Sequence, residues 1–398
     1  MPRSRKLTEL HALQRTLSRR RFLQHSSLVA AGLALAACGD DQDDPTSTPE
    51  EVPEPTSTPV LVTSVPGVDD PTRWQDRTLT VTSWGGDYQE AQAIAFFEPF
   101  ERLTGAQIVT ATTDLDELRE QVDSGTVEWD VCDVLNADVL ALANVGAIAA
   151  IDFDEIDTED LLPEAMTEYS LVSSFHSTIL AYREGYPEGG TGPESWHDFW
   201  NLEAFPGTRG MHRDPQSTLE FALIADGVDV ADLYPLDVER ALASLDRIRE
   251  FILLWWEQGA QPSQMITSGD IDMVSVWNSR IERLSSEGAP VLIQWNQGAI
   301  SGDSWVLPNG APNEDVAMDF LRFVSRPETG AAFSSLVPFG PINERAFDLL
   351  DEDLRDSLPT SPALRQDQFF INYEWWFANR EAVVERFEEW LADVEEAP

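Results

Sequence analysis

Thr78-Leu79-Thr80-Val81-Thr82-Ser83-Trp84-Gly85-Gly86-Asp87-Tyr88 opens the folded part of this chain. Its β-branched run predicts a strand that stops at Gly85-Gly86, a tight turn where the backbone can approach something closely. A helix is predicted from Asp87 to Leu103, with Ala91, Ile94, Ala95, Phe97 and Phe100 near one face and Thr104-Gly105 ending it. Gln107–Thr112 reads as a second strand, Leu115–Val122 as a short helix and Asp130–Leu135 as a third strand. This βαβαβ order implies an α/β fold, a mostly parallel sheet covered by helices.

A second region runs from about residue 183 to 296. There a helix is predicted over Asp237–Gln258, with Val238, Ala241, Leu242, Leu245, Ile248, Ile252 and Trp255 at helical spacing. Ser268-Gly269-Asp270 turns into strand-like Ile271–Trp277, and returning strands are expected at Val291–Trp295 and Ser304–Leu307. Glu314–Val324 and Arg380–Val394 read as helices. With 13 Trp and 19 Phe, a single layer would be overfilled, so two lobes with more than one crossing are expected. We place one lobe at 77–180, with 298–345 returning to it, and the other at 181–297. Residues 346–398 are expected as C-terminal helices packing on the lobes. No internal repeat is evident.

Ahead of the fold lies an address. Arg3, Arg5, Lys6 and Arg15 are followed by Ser18-Arg19-Arg20-Arg21-Phe22-Leu23-Gln24, ten residues of Leu, Val, Ala and Gly (Leu28–Ala37), and Cys38. A charged region, a short apolar region and small residues before a cleavage point make a signal peptide, 1–37. The apolar run is too short to span a bilayer, which needs about 20 residues. Its first half resembles the twin-arginine export signal, and Leu35-Ala36-Ala37-Cys38 resembles a lipobox, in which Cys38 becomes the lipid anchor. Residues 38–76, rich in Asp, Pro and Thr, are expected as a disordered, extended stalk.

Past Cys38 the chain keeps 19 basic residues, all Arg, against 70 acidic ones, a net of −51. The charge balance argues against nucleic acid and against direct docking on anionic lipid. Acid spread along the whole chain suggests a saline habitat, since at about 1 M salt the Debye length falls to roughly 3 Å. Equal melting temperatures in molar and millimolar salt would contradict that expectation. Cys132 is the only cysteine besides Cys38, so no disulfide forms within the mature chain, and it reads as a small buried hydrophobe. His176, His197 and His212 lack metal-ligand spacing, and no G-x-S-x-G elbow, P-loop or G-x-G-x-x-G is present. No enzyme, metal site or cofactor is assembled by these motifs.

At Ser83-Trp84-Gly85-Gly86-Asp87-Tyr88-Gln89-Glu90-Ala91 the chain resembles the extracellular solute-binding proteins of ABC importers, above all the group related to spermidine/putrescine-binding proteins. The resemblance continues in Pro193–Trp200, Thr218–Gly227, Ser275–Arg280, Gly302–Pro308 and Phe339–Asn343, covering roughly 77–395. It implies a two-lobe periplasmic-binding-protein fold of the second type, a ligand cleft between the lobes, and a monomer. It also implies delivery of a small amine-bearing solute to a membrane permease driven by an ATPase. A sensory co-receptor on the same scaffold, or less readily a secreted enzyme, are the alternatives.

Ligands of α/β sheets sit beyond the carboxyl ends of strands, here Trp84–Tyr88, Leu135-Asn136 and Trp277–Arg280. The resemblance implies Trp84, Asp87, Tyr88, Trp277 and Asp303 as pocket residues, with rings flanking the solute and carboxylates holding amines. Phe339 stands where those relatives carry a tyrosine, and Ser217 where spermidine binders can place a glutamate. Arg280 is the departure, because polyamine binders have an aspartate there. An arginine fork repels a second ammonium and takes a carboxylate, so with Asp303 it suits a zwitterion such as a γ-amino acid. Simpler roles stand beside these. Arg280 can pair with Asp270 or Asp272, Trp84 and Trp277 can be core, and Asp87 can cap its helix. Trp255-Trp256 and Trp375-Trp376 read as packing.

Overall fold

The computed structural model describes residues 60–396. The leader, Cys38 and the stalk up to residue 59 lie outside the described residues. β1 (Thr78–Ser83) ends at Gly85 and Gly86, whose φ values of 77° and 60° only glycine adopts readily. The predicted helix follows as α1 (Gly86–Gln92), a π-helical turn (Ala93–Phe97) and α2 (Glu98–Thr104). Pro99 explains the interruption, since it has no N–H to offer the carbonyl one turn back. Gly105, in the left-handed conformation, ends α2. β2 (Gln107–Thr112), α3 (Leu115–Ser124), β3 (Val131–Leu135) and α4 (Asn136–Asn144) complete the expected alternation.

Beyond lie β4 (Ile148–Ala149), β5 (Met166–Thr167) and the long β6 (Ser170–Arg183). Next come α5 (Trp196–Trp200), β7 (Arg209–His212), α6 (Pro215–Ala225), α7 (Val238–Leu245), β8 (Ile252–Trp256) and α8 (Ala260–Ser268). β9 (Met273–Trp277), α9 (Asn278–Ser286), β10 (Val291–Pro308), α10 (Glu314–Val324) and α11 (Pro327–Ser334) follow. Short helices α12 (Glu352–Ser357) and α13 (Pro362–Arg365), β11 (Phe369–Phe370) and α14 (Tyr373–Glu396) end the chain.

The strands run in the order β2-β1-β3-β10-β6-β9-β7-β8. β1 is parallel to β2 and β3, and β7 is parallel to β8 and β9. Between these parallel triplets, β6 and β10 run antiparallel to each other and serve both lobes. The later half of β10 pairs with β3, while the later half of β6 pairs with β9. Their mutual register breaks between Gln294 and Ala299, where Gln297 takes φ 62°.

Each lobe is apolar on both faces of its sheet. In the first, Phe96, Phe100, Trp305, Phe320 and Phe333 pack on one side, with Leu118, Val134 and Leu142 on the other. In the second, Trp196, Phe199, Leu219, Phe221 and Leu242 face Ile179, Trp256, Val274 and Ile281. Helix α14 touches α4 of the first lobe and α6 and α7 of the second. Glu220, buried in α6, accepts at one oxygen from Tyr234 Oη (2.6 Å) and Trp376 Nε1 (2.8 Å), which ties that helix to α14.

Three sequence expectations are corrected. The helix over Asp237–Gln258 stops at Leu245, and Ile252–Trp256 is instead a strand parallel to β7. Its run of Ile, Leu and Trp is short, and such runs fit helix and strand spacing alike. The two returning strands are one continuous strand, β10. From Val60 onward the expected stalk is packed on the first lobe, with Val62, Val65 and Val68 buried in its core. Three valines among prolines and acids suffice to pin the segment, which composition alone averages away. Cys132 is buried as expected, and burial pushes its thiol up to about 12.

Candidate ligand site between the lobes

Strands β1, β3, β7, β8 and β9 all end toward one region, which β6 and β10 cross. Asp303 of β10 lies there, 6% exposed, with the Trp84 indole as a hydrogen-bond partner. Asp133 of β3 is buried nearby and accepts from Gln92 Nε2 (2.7 Å) and Ser173 Oγ (3.1 Å). Tyr88 Oη stands 3.2 Å from Ser173 Oγ and 3.3 Å from Ser174 Oγ. Asn136 is buried and accepts from Ser304 Oγ at 2.6 Å, and the Tyr373 hydroxyl reaches Asn136, Ser301 and the Gly302 backbone.

This floor is acidic and buried. Burial pushes Asp303 up to about 7. Asp133 is pushed well above the usual carboxylate range, first by burial and then by the charge on Asp303. Tyr88 is also driven upward, by burial and by both carboxylates. Among the described residues, neither carboxylate forms an ion pair with an arginine. His176 adds a neutral ring, its Nε2 2.8 Å from Ser301 Oγ, with burial holding it down at about 4.

The second lobe supplies a wall and one cation. Trp277 lies edge-on to His176 (6.3 Å), His212 (5.9 Å) and Trp256 (5.2 Å between ring centres). His212 stacks on Trp256 at 4.0 Å. A Cβ added at Gly259, just before α8, would sit 2.9 Å from both the Trp277 ring and Arg280 Nε, so these two side chains meet over a bare backbone. Arg280 is exposed. Among the described residues, 16 of the 19 arginines pair with a carboxylate, and Arg102 and Arg209 hold backbone carbonyls. Arg280 alone has neither. Its expected alternative partners are taken, since Asp272 binds Arg183 (2.5 Å) and Asp270 accepts from Ser268 Oγ.

Of the sequence candidates, Trp84, Tyr88, Asn136, Asp303 and Phe339 gather in the first lobe, Phe339 lying 5.3 Å from Tyr88 and 6.0 Å from His176. Trp84 is 41% exposed, which removes it from the core, and Trp277 is half-buried. Asp87 does not cap α1, whose N-cap is Gly85 with no side-chain bond. Its carboxylate is on the exposed rim, held by Arg283 of α9 at 2.5 Å. Ser217 is buried with φ 68° at the kinked start of α6, and no described hydrogen bond or ring contact ties it to the other candidates. Trp256 and Trp376 are core, while Trp255 packs on Phe387 and Trp390 and Trp375 on Tyr234.

Sequence reasoning missed Asp133, Ser173, Ser174, His176, Ser301 and Tyr373. Asp133 carried a signal, a lone carboxylate inside the apolar strand Val131-Cys132-Asp133-Val134-Leu135. Among the described residues, no group of three or more His, Cys, Asp or Glu side chains is placed to hold a metal ion. No helix among them is long and apolar enough to cross a membrane.

Two lobes joined by crossing strands, with rings and buried acid gathered where those strands end, suit a receptor for a small solute. Residues 95–364 match the family described as bacterial extracellular solute-binding protein, and the chain belongs to that family. It is 35% identical over 326 residues to the gamma-aminobutyric acid-binding protein of Pseudomonas aeruginosa, covering 80% of this chain and 92% of that one. An ABC transporter substrate-binding protein from Bradyrhizobium japonicum shares 34% identity at a TM-score of 0.75, over 79% of this chain and 99% of that structure. A solved GABA receptor shares 32% identity at a TM-score of 0.72, over 79% and 97%. The fold is thus the two-lobe α/β fold of these binding proteins, and the chain is a solute-binding receptor of the ABC-transporter kind.

Proposed function

We propose that this receptor captures a zwitterion of the γ-aminobutyrate type and hands it to a membrane permease without altering it. The observation that carries the reading is Arg280, the arginine without a carboxylate partner that meets the Trp277 ring over Gly259, on the second lobe, while the first lobe holds the acid pair Asp133 and Asp303. Such a guanidinium fork, left without a carboxylate in so acidic a protein, is suited to a ligand carboxylate. Asp303 takes the ammonium group, and Trp84, Trp277 and Phe339 enclose the carbon chain. The relatives that bind γ-aminobutyrate support this assignment. The lobes are read as 77–180 with 298–345, and 181–297. The receptor works as a monomer outside the cytoplasm, tethered at Cys38, and Cys38→Ser is expected to move it from the membrane to the soluble fraction.

A thermal-shift screen of the purified domain tests the ligand class. 4-Aminobutanoate is expected to raise the melting temperature most, ahead of α-amino acids, putrescine and spermidine, and to be recovered unchanged. A larger shift with either polyamine, or turnover of the ligand, would overturn the reading.

A further inference from the structure

We propose that His176 is the second hydrogen-bond acceptor for the ligand's ammonium group, and that it selects primary amines over fully alkylated ones. The inference rests on the reading that the amine binds Asp303.

The His176 ring is held on three sides. Nε2 lies 2.8 Å from Ser301 Oγ, and the ring edges meet Trp277 and Phe339 at 6.3 and 6.0 Å. Nδ1 is different: it is buried and has no hydrogen-bond partner. Buried polar atoms are rarely left so, and one that is so placed asks for a ligand or a water. The nearest charged atom is Asp303 Oδ2, 3.9 Å away, which is too long for a direct hydrogen bond.

That separation suits a shared donor. Two acceptors 3.9 Å apart subtend about 90° at a nitrogen roughly 2.8 Å from each, near enough to tetrahedral for two almost linear N–H bonds. One ammonium group therefore satisfies Asp303 and His176 together, with a third N–H left over. The ring must carry its lone pair on Nδ1. Ser301 provides for this by accepting from Nε2–H while its own hydrogen turns to the Tyr373 oxygen. Burial keeps the ring uncharged at neutral pH, so the lone pair is available. A trimethylated nitrogen has no N–H, and would leave Nδ1 still orphaned. Sites built around a hydrogen bond reject analogues that lack it far more strongly than apolar pockets reject a missing methylene.

The test is calorimetric titration of the wild-type protein, His176→Phe, His176→Gln and Asp303→Asn with 4-aminobutanoate and its N,N,N-trimethyl analogue. His176→Phe is expected to weaken 4-aminobutanoate by about 10- to 100-fold, as for a hydrogen bond to a charged group. The trimethyl analogue should change little, and His176→Gln, which keeps an acceptor, should recover part of the loss. Three imidazoles in the mature chain (His176, His197, His212) make nitrogen NMR assignable, and Nδ1 of His176 is expected unprotonated and shifted by ligand. Binding by His176→Phe within twofold of wild type, or a proton found on Nδ1, overturns the proposal. If His176→Phe does not fold, the glutamine variant and the NMR decide. Failure of the wild type to bind 4-aminobutanoate, or full binding by Asp303→Asn, overturns the underlying amine site instead.

Discussion

Replacing Asp303 by asparagine is expected to remove amine capture and, at the same time, to stabilise the empty protein. The first effect follows from truncating one side of a buried charge pair, which costs roughly 2–5 kcal/mol, or about 30-fold to several thousand-fold in affinity. The second follows from the pair of acids in the floor. Asp303 titrates near 7 in the folded protein against an ordinary 3.8, so the folded state holds a proton that the unfolded state has lost. Stability of the empty receptor therefore falls as pH rises from about 4 through 7, since the native state binds more protons across that window. Asparagine resembles the protonated acid and is exempt. Melting the two proteins at pH 5 and pH 8 should show near-equality at the lower pH and a more stable variant at the higher. An ammonium ligand demands the ionised form, so wild-type affinity should rise through pH 7 with proton release on binding. A variant that melts below wild type at pH 8 would refute the account of the floor.

Arg280→Asp is expected to invert ligand preference. The arginine fork is replaced by an acid facing two others, so the carboxylate of a γ-amino acid loses two charge-assisted hydrogen bonds and meets repulsion. An affinity loss of about 100-fold or more is expected, while putrescine, with an ammonium at each end, should gain. Competition titration of 4-aminobutanoate against putrescine reads both changes in one experiment. If the variant still prefers the amino acid, Arg280 is a surface residue and the zwitterion reading fails.

The first lobe was legible because its local signals agreed. β-branched strands, a Gly85-Gly86 turn and an amphipathic helix each pointed to a βαβ unit. Trp84, Tyr88 and Asp303 came into view through ordered motifs, and Asn136 through the rule of strand ends. What stayed hidden depends on contacts distant in sequence. Ser170–Arg183 is buried on both faces, so it lacks the alternation that marks a strand, and its serines look like a loop. His176 and the two serines that brace Tyr88 were lost with it. Tyr373 joins the site only because α14 docks across both lobes. Asp87 was misjudged for a related reason. It was expected in the pocket, whereas its carboxylate pairs on the exposed rim with Arg283, 196 residues away in the other lobe.

That ion pair has a bearing on how long a captured solute stays. It joins the helix after β1 to the helix after β9, and so bridges the two lobes. It asks nothing of the ligand, so if release parts the lobes it would hold every solute alike rather than choose among them. Both side chains are exposed, at 61% and 73%, so dissolved ions screen the pair. Brine, which calms the repulsion over the rest of this acidic surface, would loosen the clasp at its mouth. A bound solute is then expected to dissociate faster in molar than in millimolar salt.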